Sequence, residues 1–130
     1  MVDTVSTNVI FSNKSRRVVQ ILNVSDGTGE SAVVKIDKSA LVGNNGAEPT
    51  KFAVNKIVGY VDGMVVDIYF KRDTDVKIAR LGQGHSKRDW SEFKGFVDTG
   101  SGGTGDVIVT TTGHTAGDSY DITIDVRLIE

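Results

Sequence analysis

The chain of 130 residues contains no cysteine, one proline (Pro49), one tryptophan (Trp90) and no apolar run longer than a few residues. Without cysteine there are no disulfides and no thiolate metal ligands, so stability has to come from packing and backbone pairing. A membrane-spanning helix needs about 20 consecutive apolar residues, which the short runs do not supply. No sign of charge dominates either. Fifteen Lys and Arg stand against 17 Asp and Glu, a formal net charge of −2, so the basic excess of a general nucleic-acid or anionic-membrane binder is missing. Residues 1–11 lack the positive charge followed by an apolar block that marks a signal peptide. Synthesis and folding in the cytoplasm are therefore expected.

Glycine, in contrast, is plentiful, with 15 residues, which implies many tight turns. The length suits one domain with its own core, and no fixed-period repeat points to a solenoid or propeller. The clearest pattern runs from Tyr120 to Glu130. Tyr120, Ile122, Ile124, Val126 and Leu128 alternate with Asp121, Thr123, Asp125 and Arg127, a period of two that makes a half-buried strand. Such a strand needs neighbours beside it and a second layer facing it.

Arg17–Val24 carries apolar residues on both faces, as an interior strand does, and Ala32–Ile36 resumes the alternation, so the two are expected to form a hairpin. Residues 42–50 form a surface loop. Asp62-Gly63 supplies the turn chemistry of a two-residue hairpin between Phe52–Val61 and Met64–Lys71. Its register would pair Val61 with Met64, Gly59 with Val66, Ile57 with Ile68 and Asn55 with Phe70. Val76–Leu81 alternates again. Asp106–Thr112 and the final strand are expected to form a last long hairpin. Residues 86–93 carry a capping-type spacing that allows at most one short helix near 87–93. The sum is an all-β chain: an antiparallel β-sandwich or flattened barrel, jelly-roll-like, over residues 16–130, preceded by an arm or edge strand at 1–15.

Chemistry is sparse. Gly82-Gln83-Gly84 and Gly100–Gly105 lack the Gly-Lys-Ser/Thr ending of a phosphate-binding loop and open no helix, so turn and flexible loop are their readings. His85 and His114 have no second ligand at metal spacing. No Gly-x-Ser-x-Gly elbow is present. No catalytic residue, cofactor or metal is assigned. Trp90, Phe93 and Phe96 are expected to plug an open end of the sandwich or to act as interface anchors. Lys14, Arg16 and Arg17 make a small basic cluster, read first as a solvated strand entry and second as a contact for an acidic neighbour.

From Lys51 onward the segments Lys51–Ile57, Val61–Val66, Gly95–Asp98, Gly103–Thr111 and Ala116–Ile124 resemble small virion structural proteins of tailed bacteriophages, of the head decoration or cement type. The resemblance implies an all-β, non-enzymatic subunit, made in the host cytoplasm and placed on the capsid surface, that binds the major capsid protein of a phage shell. It also implies a homo-oligomer, a trimer ahead of a dimer; from the charge balance, no nucleic-acid or membrane partner is expected. Val9, Ile10, Phe11, Arg16, Arg17, Trp90 and Phe93 are the expected partner contacts. Two alternatives remain. One is a tail or connector component; the other is a carbohydrate- or receptor-binding sandwich, with Trp90, Tyr60 and Tyr69 as a stacking platform.

Overall fold

The computed structural model of the chain describes all residues except 1–3, 14, 26–32, 39–40, 42–45, 47, 91, 93–94, 101, 114, 116 and 130. Ten strands follow one another: β1 (Thr4–Ser12), β2 (Arg16–Val24), β3 (Val33–Ile36), β4 (Lys51–Asp62), β5 (Val65–Phe70), β6 (Val76–Leu81), β7 (Gly84–Asp89), β8 (Phe96–Val97), β9 (Val107–Thr112) and β10 (Ser119–Ile129). They build two antiparallel sheets. The larger has the order β1-β2-β10-β4-β7, with β8 beside β7 on the flank of β4; the smaller has the order β3-β9-β5-β6. Eight of these strands, β2-β10-β4-β7 facing β3-β9-β5-β6, follow the double Greek-key order of a jelly roll. The two sheets stay open and do not close into a barrel.

The period-two pattern explains the layers. In β10, Tyr120, Ile122, Ile124, Val126 and Leu128 are all buried while Asp121 faces water. Opposite them Val66, Ile68 and Phe70 of β5 are wholly buried, as are Phe52, Val54, Ile57 and Val61 of β4. Each such side chain contributes about 1.5–3 kcal/mol on burial. Gly59 lies across from Ile122, and a Cβ there would come within 2.8 Å of the Ile122 Cγ1. The close approach of β4 to β10 requires a residue without a side chain at that point.

Three expected hairpins are absent, for one reason. β4 and β5 do not pair at Asp62-Gly63: β4 lies between β10 and β7, and β5 between β6 and β9. Val61 faces Tyr120 and Gly84 in the sheet instead of Met64, while Ile68 faces Ala79 and Val109. Gly63 does have a positive φ, 84°, but the chain uses it to arch from one sheet to the other. The Gln83 side chain fastens this arch, accepting from the Gly63 N–H at 2.6 Å and donating to Asp62 Oδ1 at 3.3 Å. Likewise β2 and β3 sit in different sheets, as do β9 and β10. Alternation sends the same residues inward whether two strands lie side by side or face each other across a core, so it cannot choose between hairpin and arch. Adjacent strands β1 and β2, and β5 and β6, do pair. Residues 87–89, where a short helix was allowed, belong to β7, and no α-helix occurs among the described residues.

Gly100–Gly105, expected to be a flexible loop, closes on a buried ion pair. Arg72, just beyond β5, places Nη2 2.6 Å and Nε 2.8 Å from Asp98 Oδ2, and the Asp98 side chain has no exposure. Asp98 Oδ1 accepts from the Gly100 N–H, and Arg72 Nη1 donates to the Gly102 carbonyl at 2.9 Å. Gly103, at φ 59°, passes so near that a Cβ would sit 2.6 Å from the Arg72 Cα. Neighbouring Asp106 is buried and holds the Lys38 N–H and the Thr104 hydroxyl, both at 2.8 Å.

Candidate interaction surface

The large exposed apolar side chains concentrate on β1: Val5, Val9, Ile10 and Phe11 are each about half exposed or more, with Ile10 highest at 58%. Register explains this. Thr7 pairs with Ile21 and Val9 with Val19, and those β2 partners are core residues. Thr7 and Val9 thus continue core-facing rows past the margin of the smaller sheet, where no strand among the described residues covers them. The opposite face of the same stretch carries Ser6 and Asn8. Between Val9 and Phe11 the register shifts, leaving Ile10 as the extra residue of a bulge. Bulges commonly re-aim side chains at functional margins. Phe11 then lies on the outer face, with the Arg16 guanidinium 5.9 Å from its ring centroid, an arrangement that favours a cation over the π-cloud.

β1 also differs in charge from the other edges. An exposed edge strand invites pairing with another chain, and charged side chains are a usual protection. β7 carries Lys87, Arg88 and Asp89, β6 carries Lys77 and Arg80, and β3 carries Lys35. Apart from the two-residue β8, β1 is the edge strand with no charged residue among those described. A groove of about 420 Å³ adjoins it, lined in part by Val5, Ser6, Leu22, Val24 and Tyr60.

The remaining expected contacts fall into different places. Arg16 is engaged within its own sheet: Nε donates to Asp125 Oδ1 at 2.8 Å and Nη2 makes a further close ion pair with Oδ2. That hydrogen bond first, and the carboxylate charge second, raise the Arg16 pKa. Its guanidinium is therefore not a free cation awaiting an acidic neighbour. Arg17 is half-buried and reaches the Ser12 hydroxyl at 3.3 Å. Lys14 and Phe93 lie outside the described residues. Trp90 packs edge-on against Phe96, centroids 5.5 Å apart at 73°, and Phe96 in turn meets Phe70 at 6.3 Å. Both Trp90 and Phe96 are partly buried against the core, the position expected of the plug.

The glycan-type platform does not assemble. Tyr60 faces outward from the larger sheet, across from Asp121 and His85, whereas Tyr69 stands on the outer face of the smaller sheet beside Lys77. Trp90 is at the core plug. His85 is exposed on β7, and His114 lies outside the described residues. Among the described residues no group of three His, Cys, Asp or Glu could hold a metal ion, and no helix is long and apolar enough to cross a membrane. The buried carboxylates are engaged: Asp98 with Arg72, Asp106 with Lys38 and Thr104, and Asp67 with Arg80 at 2.7 Å.

Val5 was missed by sequence reasoning, although Val5, Thr7 and Val9 alternating with Ser6 and Asn8 is the same period-two signal found in β10. No family model matches the chain, and no curated protein or solved structure matches it.

Proposed function

We propose that the protein is a non-enzymatic virion structural subunit of a tailed phage, a decoration or cement protein that stabilises a head shell by binding its major capsid protein. The observation that carries this is the β1 margin. An otherwise charge-guarded sandwich leaves one neutral edge with Ile10 and Phe11 turned out by a bulge. Large apolar side chains that water surrounds in the free subunit stabilise a complex when a partner covers them. The jelly-roll order is shared with many viral shell proteins, which supports the reading by analogy of fold. Repetition of one weak contact over many equivalent shell sites converts modest affinity into firm attachment.

Purified protein is expected to co-sediment with expanded phage heads assembled without it. The double variant Ile10→Asp, Phe11→Asp should stay folded and remain in the supernatant. Heads that take up neither protein would overturn the reading. Electron microscopy showing the label on a tail or connector would move the subunit to that part of the virion.

A further inference from the structure

From Thr4↔Val24 to Val9↔Val19 the pairing of β1 with β2 runs without interruption, so the backbone of residues 4–9 is regular, and among the described residues no strand neighbours its other side. A second copy of the same segment can add there only if side chains opposite each other match. A two-fold axis normal to the sheet keeps each residue on its own face, so the axis must pass through a residue and the choices are few. Centred on Ser6, it sets Val5 against Thr7. Centred on Asn8, it drives Ser6 into the bulge at Ile10. Centred on Thr7, it sets Val5 against Val9, Ser6 against Asn8 and Thr7 against itself, apolar with apolar and polar with polar. Cross-strand matches of these kinds, Thr opposite Thr included, stabilise antiparallel pairs. No charge in the segment opposes its own image.

We infer that residues 5–9 of β1 pair antiparallel with the same segment of a second copy about a two-fold axis through Thr7, joining two six-stranded sheets into one. Val5 of each chain then packs against Val9 of the other, giving two valine pairs that flank the central Thr7 pair and removing from water side chains that the smaller sheet does not reach. The arrangement is isologous, so it closes at two subunits. It selects the dimer over the trimer that the family resemblance ranks first, and it does not rest on the capsid reading. The shell contacts, Ile10 and Phe11, fall outside the paired residues.

Light scattering over a dilution series should give twice the 13.9 kDa chain mass at high concentration. Thr7→Lys sets two like charges on the axis and should give a folded monomer whose melting temperature does not change with concentration and matches that of the wild type at high dilution. Since the chain has no cysteine, Thr7→Cys offers a register test: mild oxidation should link it into a covalent dimer. Val5→Cys, whose two copies would lie about 14 Å apart, should not cross-link. A wild type that is monomeric throughout or trimeric, a dimer unaffected by Thr7→Lys, or equal cross-linking of both cysteine variants would overturn the pairing. A monomeric protein that still decorates heads would sink this inference alone, and a dimer that ignores heads would sink the shell reading alone.

Discussion

The segment from Val5 to Val9 and the one from Thr99 to Gly105 look alike as sequence, both short, uncharged and rich in small hydroxyl-bearing residues. The fold uses them oppositely. Gly100 and Gly102 are tied by their N–H and carbonyl to the Arg72–Asp98 pair, and Gly103 passes against the backbone of Arg72. Val5–Val9 hydrogen-bonds to β2 on one side and offers the other side, and its valines, to water. Residues of the first kind should be sensitive to change in the isolated subunit. Those of the second kind should be nearly silent there and matter only when a partner is present.

The sharpest test of that contrast is Asp98→Ala, which leaves the Arg72 guanidinium buried without its anion. A loss of about 3–5 kcal/mol is expected in denaturant unfolding. Gly103→Ala imposes a left-handed conformation on a residue with a side chain and pushes it into Arg72, so about 1–3 kcal/mol should be lost. Arg16→Ala removes an ion pair whose arginine side chain is half exposed; with solvent screening it should cost less than about 1 kcal/mol, and the cost should shrink at high salt. Smallest of all, Ile10→Asp should shift stability by no more than about 0.5 kcal/mol in either direction. If Ile10→Asp proved as damaging as Asp98→Ala, the β1 margin would be part of the core and the contrast would fail.

Much of this architecture is readable from residue order. Strand positions follow from period two, and the all-β class follows from strands plus glycine-rich links. Which strands become neighbours is not readable, because the pairing of Val61 with Tyr120 spans a separation that local turn chemistry does not encode. Asp62-Gly63 specifies a reversal but not its plane. The Arg72–Asp98 pair was illegible for a related reason: an ordinary arginine and an ordinary aspartate acquire their role only when the end of β8 meets the end of β5. The interaction surface was half legible. Val9, Ile10 and Phe11 stand out as an apolar block, whereas the exposure of Val5 depends on the smaller sheet stopping short of β1.

The position of β10 has a further consequence for how the molecule is made. It lies between β2 and β4, both of which leave the ribosome long before it. Until residues 119–129 arrive, the larger sheet is a split plank with a slot one strand wide, bordered by two unsatisfied rows of amides and carbonyls. A chain stalled or cut before that point keeps the slot open and is exposed to capture by any extended peptide nearby. Insertion of the late strand fills the slot from both sides at once, so closure of the larger sheet should be a single cooperative step that follows synthesis of β10 and does not keep pace with earlier elongation.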